Sequence, residues 1–142
     1  MKKVLIVYWS SSGNTETMAK QAARGVEEAG GEPTLKTFGE ASVELVKAAE
    51  ALAFGCPAMG DEALEEEEVE PFIGKLSRAE LEGKPLGLFG SYDWGDGQWM
   101  RDWVERMKGL GAKVDGEGII AQLEPDKDAC DKCLELGKRL AV

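Results

Sequence analysis

Short apolar runs alternate with stretches of helical periodicity from one end of the chain to the other. The first run, Lys2–Trp9, is rich in β-branched residues and far too short to span a bilayer. Four later segments are also predicted as strands: Pro33–Phe38, Ala51–Cys56, Pro85–Ser91 and a segment within Ala112–Gln122. A strand without apolar–polar alternation is buried on both faces, as in a parallel sheet. The pattern therefore predicts an α/β fold.

Five helices are predicted around these strands. The clearest is Asn14–Ala29, whose apolar residues recur on one face. The others are Ser42–Ala49 with Ser42 as N-cap, a helix that starts with Pro71–Leu76 and has the proline in its first turn, Gly97–Leu110 and Asp126–Leu140. Right-handed crossovers place helices on both faces of such a sheet. For 142 residues we expect a three-layer sandwich around a five-stranded parallel sheet of order 2-1-3-4-5.

Charge and residue types exclude several classes of function. The net charge of −10 and the lack of a basic stripe argue against nucleic-acid binding. The chain has no histidine, which removes the commonest general base and every Ser-His-Asp or Cys-His arrangement. Its three cysteines and short N-terminal apolar run indicate neither a disulfide framework nor a secretory signal. We expect a cytoplasmic monomer that does not bind membranes.

The loop after the first strand, residues 9–15 (WSSSGNT), is a candidate anion site. Hydroxyls and free backbone N–H groups at the start of a helix bind anions well. No Lys or Arg falls between residues 4 and 19, so a phosphate here would be held by dipoles rather than by counter-charge. An ordinary serine-rich turn before a helix explains this loop alone equally well.

Two further loops should lie at the same edge of the sheet, because they also follow strands. Residues 56–62 (CPAMGDE) follow the third strand, and residues 91–97 (SYDWGDG) follow the fourth. A flat aromatic cofactor could be sandwiched between Met59 and Trp94. Either side chain alone would more simply pack on its own turn, but together with the candidate anion loop the pair favours a cofactor site.

These loops resemble those of a known family. The pattern Ser10-x-Ser12-Gly13-x-Thr15 resembles the flavodoxin phosphate loop, and GCPAMGDE and GSYDWGDG resemble the flavin loops of short-chain bacterial flavodoxins. The similarity runs over nearly the whole chain. It implies one flavodoxin-like domain over residues 1–142 that binds FMN non-covalently. It also implies a low-potential one-electron carrier between redox enzymes rather than an enzyme itself.

The resemblance also implies roles for individual residues. Met59 and Trp94 face the two sides of the flavin ring, and Glu62 accepts a hydrogen bond from N3. Backbone N–H groups of residues 93–95 approach O2 and N1, and the Gly60–Asp61 peptide turns its carbonyl toward N5 after the first electron. The implied cofactor contacts are Ser10, Ser11, Ser12, Gly13, Asn14, Thr15, Ala58, Met59, Gly60, Asp61, Glu62, Ser91, Tyr92, Asp93, Trp94 and Gly95.

Several other features carry weaker signals. Ser11 and Asp93 stand where close relatives often carry glycine. Cys130 and Cys133 form a CxxC inside the last predicted helix, where structural cysteines are favoured over a redox pair. Trp99 and Trp103 lie four apart on a predicted helix and are expected in the core.

Residues 61–70 carry seven acids and no base. This run is either a solvated face or a docking surface beside the flavin edge for a redox partner protein.

Two other functions remain open at this point. An NAD(P)H-dependent flavin or quinone reductase of the same fold would need a nicotinamide pocket, and no inserted segment or arginine cluster suggests one. A receiver-type signalling module shares the strand order but needs an acidic pair after the first strand, where this chain has Trp9 and Ser10. Gly116–Ala121 matches GxGxxA, but no helix is predicted directly after it, so a dinucleotide site is not expected.

Overall fold

The computed structural model describes residues 2–142 and contains, within them, six β-strands and six α-helices. In chain order they are β1 (Lys3–Tyr8), α1 (Asn14–Glu28), β2 (Glu32–Thr37), α2 (Val43–Ala48), β3 (Ala51–Gly55), α3 (Val69–Gly74), α4 (Arg78–Leu81), β4 (Pro85–Tyr92), α5 (Gln98–Gly109), β5 (Lys113–Val114), β6 (Ile119–Gln122) and α6 (Lys127–Leu140). The strands form one parallel sheet of order β2-β1-β3-β4, with β5 and β6 both paired to β4. The predicted fold class and strand order are confirmed.

The segment Ala112–Gln122, predicted to contain a fifth strand, contains two short strands, β5 and β6, instead of one. Val114 pairs with Leu86 and Ile119 pairs with Phe89, so residues 115–118 bulge out opposite only two residues of β4. Glycines 116 and 118, with φ of 65° and 87°, turn the backbone out of the ladder there.

The helix predicted at Pro71–Leu76 is present, with its proline in the first turn as expected, but its bounds differ. It begins two residues earlier, at Val69, and ends at Gly74, so Pro71 lies within its first turn, where a missing N–H costs little. The four-residue helix α4 was missed, because it is too short to show periodicity. It is held by a capping box: Ser77 Oγ accepts from Ala79 N–H at 3.3 Å, and Glu80 Oε1 accepts from Ser77 N–H at 2.7 Å.

Two apolar cores cover the two faces of the sheet. Alternate residues of β1 divide between them: Leu5 and Val7 pack toward α2–α5, whereas Val4 and Ile6 pack against α1 and α6. The first core contains both Trp99 and Trp103, 2% and 1% exposed, which confirms their predicted core role. No helix among the described residues is long and apolar enough to cross a membrane.

The second core contains Cys133, as expected for a structural cysteine. Burial raises the pKa of its thiol to about 12, so it stays protonated at neutral pH.

Helices α1 and α6 approach so closely that glycine is required at their contact. A Cβ on Gly137 would overlap the carbonyl oxygen of Ala22, and one on Gly25 would overlap the carbonyl oxygen of Leu134. Because α1 starts directly after the candidate anion loop, its contact with α6 also fixes the orientation of the helix start toward that loop.

Substituting alanine for Gly137 therefore tests the α1–α6 contact. We expect a loss of about 1–3 kcal/mol in the free energy of unfolding, because the methyl group forces the two backbones apart. Gly109→Ala is the matched control: Gly109 lies in α5 with no atom near its missing Cβ, so alanine should stabilise or leave the protein unchanged. Urea denaturation of both variants without cofactor measures the free energy of unfolding. Equal changes in the two variants would contradict a special requirement for glycine at the α1–α6 contact.

Candidate functional site

Loops that follow β1, β3 and β4 meet at the carboxyl edge of the sheet. We call them the Ser loop (residues 9–15), the Met59 loop (residues 56–64) and the Trp94 loop (residues 92–97). Ala58 N–H donates to the Ser91 carbonyl at 3.0 Å, and Trp9 N–H donates to the Gly55 carbonyl at 3.0 Å. In the sheet, β2 lies on one side of β1, whereas β3 and the later strands lie on the other. A doubly wound sheet binds ligands at the carboxyl ends of its strands, beside the point where the strand order changes direction in this way.

The Ser loop leads into a helix start that no side chain caps. Gly13, at the N-cap position with φ 95°, offers no side-chain oxygen, and its own N–H donates to Ser10 Oγ at 3.0 Å. Within residues 2–142, the backbone N–H groups of Ser11, Ser12 and Thr15 have no hydrogen-bond acceptor. These open donors at the positive end of a 15-residue helix form a cradle for an anion.

A buried hydroxyl pair ties the Ser loop to β4. Thr15 Oγ1 lies 3.0 Å from Ser91 Oγ and also accepts the Ser91 N–H at 3.3 Å. The two residues are only 1% and 5% exposed. Asn14 is the first residue of α1, and its N–H makes a long 3.4 Å contact with Ser12 Oγ. One of the two hydroxyl hydrogens forms the bond between Thr15 Oγ1 and Ser91 Oγ. The other remains available for a different acceptor.

The Met59 loop is a tight turn closed by a short antiparallel bridge. The backbones of Met59 and Ala63 exchange two hydrogen bonds of 2.9 Å. Between them, Gly60 and Glu62 take left-handed φ values of 51° and 52°. A Cβ on Gly60 would meet no atom within 4 Å, so glycine is favoured there by backbone conformation and not by lack of space.

Glu62 bridges the Met59 loop to the Trp94 loop. Its Oε1 accepts from the N–H groups of Gly97 at 3.1 Å and Gln98 at 2.9 Å, at the start of α5. A Cβ on Gly95 would lie 2.6 Å from Glu62 Cδ, so this glycine lets the carboxylate pass. Among the described residues Glu62 Oε2 has no donor, so it is open to one from a ligand.

The Trp94 loop presents an indole to solvent. Trp94 is 60% exposed, whereas Met59 on the facing loop is half-buried. In the described part of the chain, no acceptor meets the N–H groups of Asp93, Trp94 or Gly95. Asp93 does not take a left-handed φ, so an aspartate fits its backbone without strain.

The acidic run 61–70 divides into internal and external carboxylates. Glu65 is 6% exposed and accepts from the N–H groups of Glu67, Glu68 and Val69 at 2.8, 2.7 and 3.0 Å, at the start of α3. Burial works to raise the pKa of Glu65, but these three donors outweigh it and hold the pKa below its usual value. Glu70 pairs with Arg106 through two bonds of 2.8 and 2.7 Å.

The remaining acids of the run are free to face a partner. Asp61, Glu66, Glu67 and Glu68 are exposed and make no ion pair within residues 2–142. Sequence reasoning had counted all seven acids together. It missed the bonds of Glu62 and Glu70 because their partners lie about 36 residues away.

The residues present fit a cofactor that carries both an anionic group and a flat ring. The N–H groups and hydroxyls of the Ser loop suit a phosphate, and the half-buried thioether of Met59 and the exposed indole of Trp94, on the loops after neighbouring strands β3 and β4, suit the faces of an aromatic ring. All sixteen residues implied by the resemblance lie on the three loops or on the strand and helix ends that join them.

Comparisons with known proteins agree with this arrangement. Residues 6–137 match the family model described as Flavodoxin. The chain is 47% identical to the flavodoxin of Clostridium beijerinckii, covering 96% of this chain and 97% of that one. It is 43% identical to the flavodoxin of Megasphaera elsdenii, covering 97% and 98%. The solution structure of the two-electron reduced Megasphaera elsdenii flavodoxin matches with a TM-score of 0.85 at 42% identity, over 97% and 98% of the chains.

The internal role of Glu65 predicts a pH dependence of stability. A carboxylate whose pKa is lowered in the folded state stabilises fully above its unfolded pKa of about 4.3, and this stabilisation is lost as pH falls through the lower folded value. Glu65→Gln should therefore cost about 1–3 kcal/mol at pH 7, and the cost should shrink below about pH 4.

The matched control is Glu67→Gln, which changes the same charge on an exposed side chain of the same segment. Urea unfolding of the three proteins at steps between pH 7 and pH 3 gives the comparison. A cost for Glu65→Gln that does not change with pH would mean that the carboxylate charge is not what caps α3.

Proposed function

The chain belongs to the flavodoxin family of FMN-binding electron carriers, and we propose that it holds FMN between the Ser, Met59 and Trp94 loops and passes single electrons between redox enzymes. The observation that carries this proposal is the uncapped, hydroxyl-rich start of α1. The Thr15–Ser91 hydroxyl pair ties it to β4, the strand that leads into the loop with the exposed indole of Trp94. We further propose that the protein is a cytoplasmic monomer and has no substrate of its own.

The phosphate of FMN would be held by neutral donors. Backbone N–H groups of Ser11, Ser12 and Thr15 point from the α1 start, and the hydroxyls of Ser10 and Ser12 lie beside them. Hydrogen bonds from uncharged donors together with the helix dipole favour a dianionic phosphate. A site of this kind suits a cofactor that stays bound rather than a nucleotide that exchanges.

The flavin ring, which supplies reversible electron transfer when bound, would lie between Met59 and Trp94. Ala58 directly precedes Met59 in its loop, and Tyr92, the last residue of β4, lies two residues before Trp94. Glu62 Oε2 is open to accept the hydrogen of flavin N3, while Oε1 stays on the start of α5. The open N–H groups of the Trp94 loop would donate to the opposite, pyrimidine edge of the ring.

The Gly60–Asp61 peptide would hold the hydrogen that N5 gains with the first electron. To do so it must turn its carbonyl toward the ring, which changes backbone dihedrals on both sides of the peptide. Gly60 already has a left-handed φ of 51° and open space around its Cα, so it can change conformation at low cost. A contact made only after reduction stabilises that state selectively.

Carboxylates around the ring would set a low potential for the second electron. Asp61 and Asp93 are exposed acids of the two flanking loops, and Glu62 lies between them. Negative charge added to the ring is destabilised by these neighbours. Asp96 contributes less, because Arg101 pairs with it at 2.9 Å.

The NAD(P)H-dependent reductase alternative is not favoured. Two relatives that are more than 40% identical over nearly full length are flavodoxins. The receiver alternative lacks support for the same reason. We therefore propose that redox proteins, rather than nicotinamide cofactors, exchange electrons with this chain.

Those partners are proposed to dock through the free acids beside the ring. Asp61, Glu66, Glu67 and Glu68 present unpaired negative charge on one side of the site, and Asp93 adds to it on the other. A partner with a basic surface would be steered to this face and brought close to the flavin.

Comparing FMN with riboflavin tests the phosphate site. The FMN-free protein should bind FMN at least about 100-fold more tightly than riboflavin, since each hydrogen bond to a charged group contributes about 1.5–3 kcal/mol. Ser12→Ala removes one such bond, so it should weaken FMN binding by about 10- to 150-fold and leave riboflavin binding unchanged. Flavin fluorescence quenching gives both affinities, and equal affinities for the two flavins in the unmodified protein would rule out the phosphate site.

The docking surface is tested by its response to salt. Electron transfer from the reduced protein to a basic c-type cytochrome should slow as ionic strength rises above about 0.1 M, where charges are screened beyond about 10 Å. The double variant Glu66→Gln/Glu67→Gln should be about 2- to 10-fold slower at low salt and equal to the unmodified protein at high salt.

The control removes the same charge at the opposite edge of the sheet. Glu27 and Glu32 are exposed acids near the end of α1 and the start of β2. Glu27→Gln/Glu32→Gln should leave the stopped-flow rate nearly unchanged at every salt concentration. Equal slowing by the two double variants would show that net charge, and not this surface, attracts the cytochrome.

A further inference from the structure

We infer that Gln122, at the end of β6, is a positioning residue for the flavin: by holding the Asp93 carbonyl, it turns the Trp94 N–H to the same side as the Asp93 N–H, toward the space between the Met59 and Trp94 loops. The inference rests on the proposed position of the ring in that space. Gln122 lies outside the three loops, and neither the sequence patterns nor the family resemblance pointed to it.

Two hydrogen bonds from the end of β6 hold the Trp94 loop. Leu123 N–H donates to the Tyr92 carbonyl at 2.7 Å, and Gln122 Nε2 donates to the Asp93 carbonyl at 3.2 Å. Tyr92 and Gln122 are paired residues at the ends of β4 and β6, so the glutamine side chain lies directly beside the loop. The carbonyls of two consecutive residues, Tyr92 and Asp93, are therefore both held toward β6.

This arrangement breaks the alternation of a regular strand. In a strand, successive carbonyls point to opposite neighbours. The Ser91 carbonyl points toward β3 and accepts from Ala58 N–H at 3.0 Å. The next carbonyl, that of Tyr92, points toward β6, as the rule requires. The Asp93 carbonyl would next turn back toward β3, but the Gln122 amide holds it on the β6 side.

The consequence follows from the planarity of the peptide. In a trans peptide the C=O of one residue and the N–H of the next point in opposite directions. The N–H groups of Asp93 and Trp94 therefore both face the β3 side, where the Met59 loop lies. Neither has an acceptor among residues 2–142. Two adjacent N–H groups that face the same way form a concavity for negative charge.

Of the two hydrogen bonds that hold the Trp94 loop, only the one from Gln122 can be removed by a side-chain substitution. The other bond comes from the backbone of Leu123, which has a left-handed φ of 57° and a side chain that is 54% exposed. A leucine in this conformation is strained by about 1–2 kcal/mol, so its 2.7 Å bond to Tyr92 must be part of what keeps the turn in place. Without the Gln122 amide, the Asp93–Trp94 peptide is free to rotate.

The test is Gln122→Met, which keeps the length of the unbranched side chain and removes its donor. Affinity for oxidised FMN and for riboflavin should fall by the same factor, about 2- to 10-fold, because the ring is common to both. Affinity for fully reduced FMN should fall further, since the negative charge of the reduced ring depends most on these donors. Potentiometry of the second one-electron step measures this extra loss as a lowered potential.

Gln21→Met, on α1, is the matched control and should change none of these values. Gln122→Glu, which has the same shape and no donor, should weaken riboflavin at least as much as Gln122→Met. Urea unfolding without flavin checks that both variants remain folded, as expected for an exposed side chain.

The possible outcomes separate the inference from the function on which it rests. Failure of the unmodified protein to bind FMN would overturn the proposed function. Normal FMN binding with unchanged flavin affinities and potential in Gln122→Met would overturn the inference alone. A loss for FMN without one for riboflavin would also overturn it, because the effect would then lie at the phosphate.

Discussion

Backbone N–H groups without an acceptor are costly unless a ligand or water meets them, and this chain collects them at one edge of its sheet. They lie at the uncapped start of α1 and at successive positions of the Trp94 loop. The parallel sheet makes this possible, because β1, β3 and β4 all end at that edge, and α1 and α5 begin there. In our proposal, bound FMN supplies acceptors for these N–H groups.

Around this edge, the carboxylates of the Met59 loop have different tasks although they are close in sequence. Glu65 caps α3 from within the protein, and Glu62 joins two loops by accepting from the start of α5. Glu66 and Glu67, directly after Glu65, extend into solvent instead. The same segment thus stabilises the site with buried charge and, in our proposal, attracts partners with exposed charge.

Much of the fold could be predicted because its signals are local. The apolar run of β1, the periodicity of α1 and the N-cap at Ser42, which accepts from Leu45 N–H at 3.2 Å, all depend on residues close in sequence. The break between β5 and β6 was missed, because an apolar run does not show where glycines leave the ladder.

In the candidate site, too, the features that could be predicted are local in sequence, and those that were missed are not. The Ser10–Thr15 pattern and the positions of Met59 and Trp94 follow from short motifs placed at strand ends. The contact of Gln122 with the Asp93 carbonyl joins residues 29 apart, and no pattern along the chain encodes it. Side-chain contacts between loops depend on register and on local turns, which only the folded structure specifies.

The most direct test of the account is a spectroelectrochemical titration of the FMN-loaded protein. Our account predicts two well-separated one-electron steps, because Gly60 can turn to stabilise the product of the first and the surrounding carboxylates oppose the second. A single two-electron step would contradict it. Such a result would indicate hydride chemistry in place of single-electron transfer.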